Sequence, residues 1–152
     1  MTTFSNVAPV SGAITIASLS TLGSGAYSAP SSLIDNTPSD PAGVSYLRGQ
    51  VRLSFSAALT AGAGLPYITL FILKAADGTN LPKPPGTSAA SPALNQHQLI
   101  RQLVASTAFQ IVDFPALDLD PFQYAFQINN NSGVAFSGTA TLTLYRWNLQ
   151  GV

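Results

Sequence analysis

Three carboxylates, Asp113, Asp118 and Asp120, form the only cluster of acids in the chain. Two such groups can act as the acid and base of a glycosidase, or bind calcium through oxygen. Their spacing fixes no separation between the carboxyls, and no glycine-bearing calcium loop surrounds them. Aspartates beside prolines, as at Asp120-Pro121, are more often turn formers. His97 is the only histidine. It has no Cys, Glu or second His with which to build a metal shell. No Gly-x-Ser-x-Gly turn supplies a nucleophile for it to activate, so it reads as an exposed loop residue among glutamines. Tyr145 and Trp147 lie two apart on one strand face, with Arg146 on the other. Rings in a row can stack on sugars, but the same spacing describes core packing or a subunit interface, which is the favoured reading. Arg48, Arg52, Arg101 and Arg146 are spread thinly and suggest individual ion pairs with the six aspartates. No catalytic, cofactor-binding or metal-ligating residue is assigned, and the chain is not expected to be an enzyme.

The elements that would position such residues are all extended. The longest ordered pattern runs from Phe122 to Trp147. Phe122, Tyr124, Phe126 and Ile128 alternate with polar or small residues, the mark of a strand with one buried face. Asn130-Asn131-Ser132-Gly133 supplies a turn. Thr139, Thr141, Thr143, Tyr145 and Trp147 then alternate with Ala140, Leu142, Leu144 and Arg146. The pattern predicts an antiparallel hairpin with strands at about 122–129 and 139–147 and a wide loop between them.

Upstream, Val44 to Leu59 reads as a long strand with Val51, Leu53, Phe55, Ala57 and Leu59 on one face. Ala61-Gly62-Ala63-Gly64 is a turn. Tyr67 to Leu73 is apolar on both faces, as expected of an interior strand. Residues 75–98 are a long excursion whose Pro82, Pro84, Pro85 and Pro92 rule out a central strand. Leu99 to Phe114 resumes as strand. Phe55, Leu53, Leu70, Ile72, Phe126, Ile128, Leu142 and Leu144 are the expected core. With no helix and no fixed repeat, the chain is expected to be an all-β antiparallel sandwich of jelly-roll form.

Composition bounds the function. The chain has 152 residues, enough for one sandwich domain. Six Lys and Arg balance six Asp, with no Glu, and charged residues make up 8%, against about 25% in typical domains. There is no footprint for nucleic acid or an anionic membrane. Cysteine is absent, which leaves the redox compartment open. The first ten residues lack the basic and apolar regions of a secretory signal, and no apolar run reaches the length of a membrane span. So little charge suggests a surface covered by copies of the chain or by a larger assembly. A monomer with a Ser/Thr/Asn/Gln surface is the alternative. Residues 1–34 carry no charge, with a loose edge-strand pattern over Ala13 to Ser20. Residues 1–20 are expected to be a flexible or partner-bound arm, and 21–152 a single sandwich domain.

Three patches occur in order: Leu33-Ile34-Asp35-Asn36, then Asp77-Gly78-Thr79-Asn80, then Asn129 to Phe136 before the strand ending Tyr145-Arg146-Trp147-Asn148-Leu149. This arrangement, over most of residues 30–150, resembles small virion structural proteins of tailed bacteriophages. The resemblance implies a β-sandwich subunit of the particle, such as a head decoration (cement) protein, and transfers no catalytic motif. The Pro82 to Pro92 segment has no place in that pattern, which leaves head, tail and fibre open as locations. The implied partners are further copies, as a homotrimer, and the major capsid protein or another virion protein, at the capsid surface; nucleic acid and membrane are not expected. The alternative is a carbohydrate- or receptor-binding module of a tail or fibre, with the loops at 75–98 and 129–138 holding the ligand.

Overall fold

The computed structural model describes residues 4–6, 10–37, 45–77 and 97–151. The described strands are β1 (Phe4–Asn6), β2 (Val10–Ile14), β3 (Ile34–Asp35), β4 (Arg48–Thr60), β5 (Tyr67–Ala75), β6 (His97–Gln102), β7 (Ala108–Asp113), β8 (Leu117–Asp118), β9 (Gln123–Asn131), β10 (Ala140–Trp147) and β11 (Leu149–Gly151). Among the described residues the only helical element is a single 3-10 turn, Leu19–Thr21. One sheet has the order β2-β10-β4-β7, with β8 also on β4; the second has the order β3-β9-β5-β6; β1 pairs with β11. Every pairing is antiparallel. The all-β antiparallel sandwich expected from the alternation is the fold.

The pairings nest. β5 pairs with β6, β4 with β7, β3 with β9, and β2 with β10. Each later strand returns beside an earlier one, one step further out, and successive pairs alternate between the sheets. Val51, Leu53, Leu142 and Leu144 of the first sheet face Ile68, Leu70, Phe126 and Ile128 of the second in one continuous core. All eight residues of the expected core are buried. The β5 run is apolar on both sides because its outer face also packs: Phe71, Leu73 and Ala125 form a second cluster, with Tyr27 against it.

The expected hairpin is overturned. β9 and β10 lie in different sheets, joined by residues 132–139. The cause is Phe136, which is buried and packs edge-to-face on Phe55 with ring centroids 5.0 Å apart. Its burial draws the connection across the sandwich. Gly133, at φ 84°, touches Gly62 so closely that a Cβ on either would lie 2.9 Å from the other's Cα. The Gly62 amide donates to the Ser132 carbonyl at 2.7 Å. The two turns expected around these glycines therefore lock together.

Three further expectations shift. The β4–β7 register breaks between Ser54 and Leu59, and Ala57 is exposed rather than on the buried face. Here Ser56 instead bonds residue 139: its amide donates to the Thr139 carbonyl at 2.9 Å and its hydroxyl accepts from the Thr139 amide at 2.7 Å. The stretch Leu99 to Phe114 is two strands in two sheets, turning at 103–107. Finally, residues 10–21 are part of the sandwich and not a free arm. β2 is an edge strand on β10, and Ile14, Ile16 and Leu19 are buried in the main core. The alternation of Ile14 with Ile16 is what seats it. Residues 1–3, 7–9 and the Pro-rich 78–96 lie outside the described residues.

After the 3-10 turn the chain runs along β9 as an irregular edge. Ser28 and Ser31 each bond twice there: their amides donate to the carbonyls of Ile128 and Phe126 at 2.8 Å, and their hydroxyls accept from the amides of the same residues at 3.0 Å. Serine oxygens thus replace the carbonyls that a regular strand would offer.

Candidate functional surfaces

The structure separates the three clustered acids. Asp113 lies on β7 directly across from Arg52 of β4. Arg52 Nε and Nη2 donate to its two carboxylate oxygens at 2.6 and 2.9 Å. The Arg52 guanidinium also sits 5.5 Å from the Tyr145 ring centroid, and the Asp113 hydrogen bond raises its already high pKa. Asp118 pairs with Arg48 at 2.8 Å. Asp120 pairs with Lys74 at 2.5 Å, and Lys74 lies over the Phe122 ring at 4.1 Å. The expected individual ion pairs are found for Arg48 and Arg52. Arg146 behaves differently. Carried on the face of β10 that bears Leu142 and Leu144, it donates to the Asp35 backbone carbonyl at 2.8 Å and stacks on Tyr46 at 4.7 Å. It ties the first sheet to β3 of the second.

Asp118, Asp120, His97, Lys74 and Tyr124 line one cleft of about 230 Å³. His97 opens β6 opposite Ile72 and is exposed, so it belongs to a strand end rather than a loop. Both acids of the cleft are already engaged by cations. The Tyr124 hydroxyl accepts from the Asp120 amide at 2.6 Å and donates to the Asp120 carbonyl at 2.9 Å. Burial raises the pKa of this phenol. Among the described residues no group of three or more His, Cys, Asp or Glu is placed to hold a metal. Asp113 lies apart on the outer face of the first sheet, across from Arg52, so the trio is not brought together.

Tyr145 and Trp147 are opposite Gln50 and Arg48 on the outer face of the first sheet, half-buried. The inter-sheet packing reading is therefore overturned for this pair: Leu142 and Leu144 take the inner face and the threonine-aromatic row takes the outer one. The loop reading at 129–138 also changes. Asn130 and Ser132 are fully buried and bonded internally, and Asn129 lines an open groove.

Sequence reasoning missed a set of exposed apolar side chains where both sheets end. Leu65 is 83% exposed, Val104 66%, Ile100 56% and Ile111 51%. Among the described residues β6 pairs only with β5, and β7 only with β4. Residues 103–107 join β6 to β7, so the two open edges lie on one side of the sandwich. The Leu103 amide donates to the Pro66 carbonyl at 2.9 Å, which brings Leu65 and Val104 together. One signal was available: adjacent Leu99 and Ile100 on a strand cannot both face the same core.

Comparison with known protein families, with curated proteins and with solved structures finds no match to this chain.

Proposed function

We propose that this chain is a bacteriophage virion structural protein, a capsid decoration (cement) protein that binds and stabilises the head as a homotrimer, without chemistry. The observation that carries the reading is the cluster of exposed apolar side chains at Leu65, Val104 and Ile111, beside two strand edges that are unpaired among the described residues. Open edges and exposed apolar side chains together are a liability for a free monomer and an asset for a subunit. The ionic side chains support it: Arg48, Arg52, Lys74 and Arg146 are each committed within the chain, so that shape and apolar contact, with the exposed Arg101 of β6 beside them, are what this side offers a partner. The nested strand pairing supports it further, because it suits a jelly-roll reading, an architecture used by viral capsid domains as well as by lectins. Many copies bridging capsid subunits would stabilise the shell by mass action, since they bind the assembled state alone.

The test is to add purified protein to undecorated heads across a salt series, following occupancy and thermal rupture, with sedimentation of the free protein alongside. Binding should vary little with salt, unlike that of a phosphate-reading protein. Val104→Asp and Ile111→Asp should shift the free protein toward monomer while leaving the fold intact, since both side chains are exposed. Binding that collapses between low and moderate salt, or a wild-type monomer that ignores heads, would refute the proposal.

A further inference from the structure

The outer face of the second sheet carries a groove of about 340 Å³, within the size range of small-molecule sites. Tyr27 and Tyr67 give it aromatic surface over a floor at Phe71, and Gln98, Gln102 and Asn129 give it amides. Among the described residues no charged side chain lines it. From the groove's chemistry we infer that it is a binding site for a neutral saccharide.

The chemistry selects the ligand by elimination. An anionic ligand needs a cationic partner, and the lining offers none. A wholly apolar ligand would take the exposed Gln98 and Gln102 amides out of water without giving them hydrogen-bond partners, which is unfavourable. A sugar ring presents an apolar C–H face and a hydroxyl edge. Aromatic rings suit the first, and amides, which donate and accept at once, suit the second.

The site is also held in place before any ligand arrives. Gln98, Ile100 and Gln102 alternate on β6 beside Phe71, Thr69 and Tyr67 of β5, pairing as Phe71 with Gln98 and Tyr67 with Gln102. Tyr27 forms an isolated bridge to Asn129, and its ring packs on Phe71 with centroids 5.8 Å apart. The Asn129 amide donates to the Ala26 carbonyl at 3.0 Å and accepts from Asn131. A ligand would therefore meet ordered groups on strands and lose little affinity to rearrangement. Tyr67 and Ile100 are 37% and 56% exposed, so a ring and an aliphatic wall stand open at the rim.

The experiment is a screen of the full chain against immobilised neutral and sialylated glycans at low and moderate salt, followed by calorimetry with the best neutral oligosaccharide. A neutral glycan should bind and hold through the salt change. Tyr67→Ala should weaken it at least about tenfold through loss of the ring face, and Tyr67→Phe should keep most of the affinity. Gln102→Ala, on an exposed side chain, gives a second reading that does not depend on the tyrosine, with a loss of about threefold or more. Absence of any neutral ligand overturns the assignment, as does binding confined to sialylated glycans at low salt. Affinity unchanged in a Tyr67→Ala/Gln98→Ala/Gln102→Ala chain overturns it too. The same variants added to undecorated heads report on decoration separately, since Val104 and Ile111 are untouched.

Discussion

Asn130→Asp exchanges one nitrogen for one oxygen at a side chain that makes three hydrogen bonds. Asn130 is fully buried. Its Nδ2 donates to the carbonyls of Leu22 and Val134, both at 2.9 Å, and its Oδ1 accepts from the Ser132 amide at 3.0 Å. The two carbonyls have other donors, the Phe136 amide and the Ser132 hydroxyl, both at 3.0 Å. A protonated carboxyl could still accept from Ser132 and donate once, so the variant loses one hydrogen bond, costing about 1 kcal/mol. An ionised carboxylate would face two carbonyl oxygens without a cation, and a lone buried charge costs about 3–5 kcal/mol. The introduced group therefore has a folded-state pKa raised above the unfolded value of about 3.9. The sign follows: its penalty is small below about pH 4 and grows as pH rises toward the raised folded value, at about 1.4 kcal/mol per pH unit. Urea unfolding of wild type and variant at pH 4, 5, 6 and 7 measures the gap directly. The gap should widen from about 1 to about 3–5 kcal/mol, whereas Asn130→Ala, which orphans the Ser132 amide, should show a loss independent of pH. A constant gap for Asn130→Asp would show that water reaches this side chain and that its burial has been misjudged.

Phe126→Ala, at a fully buried position between the sheets, should cost about 3–5 kcal/mol, and a loss under about 1 kcal/mol in urea unfolding would contradict its burial. Tyr124→Phe should cost about 1–2 kcal/mol by leaving the Asp120 amide without its acceptor. Burial raises the Tyr124 phenol pKa, so the stability it contributes is complete below about pH 10 and lost as pH climbs through the raised value; the phenylalanine variant should lack that part of the alkaline slope. The Asp35 carboxyl is held low by the Thr37 amide, which donates to it at 2.8 Å. Its contribution is present above about pH 3.9 and lost as pH falls through the lowered value, so Asp35→Asn should flatten the acid limb of stability, and an unchanged limb would remove Asp35 from the account.

The buried faces were legible because burial leaves a period. Leu53 and Phe55, Leu70 and Ile72, Phe126 and Ile128, Leu142 and Leu144 all sit where alternation puts them. Connectivity was not legible, because two strands of period two look alike whether they share a sheet or cross between sheets. Phe136 decides that question for β9 and β10, and a single aromatic in a turn-rich stretch carries no period. Residues 10–20 of the expected arm were misjudged for a related reason. Residues 10–21 have few apolar side chains, but Ile14, Ile16 and Leu19 suffice to seat them once β10 offers an edge. Asn130 and Ser132 looked like turn residues because their types favour turns; their real partners are backbone groups far along the chain or across the loop. The groove was invisible for the same reason, since Tyr27 reaches Phe71 and Asn129 only after the chain folds along β9.

The scarcity of charge and the abundance of Asn, Gln and Ser are linked by this architecture. A regular edge strand on β9 would satisfy its backbone with backbone. The irregular segment before β3 cannot, so Ser28 and Ser31 supply the missing acceptors to the Ile128 and Phe126 amides, while Asn36 and Asn130 donate to the carbonyls of Tyr46 and Leu22 in the connections nearby. Neutral groups can do this inside a sandwich, where an ion would carry a desolvation penalty of several kcal/mol. Among the described residues, three pairs of ions lie at rims and on outer faces at contact distance and contribute little field beyond about 8–10 Å at moderate salt. What such a molecule offers a partner is apolar side chains, open strand edges and amides. Each of these is read at contact range. Recognition built from them should survive changes in ionic strength and respond instead to single changes of shape, so that in the proposed assembly an aspartate at Val104 or Ile111 should weaken association more than added salt does.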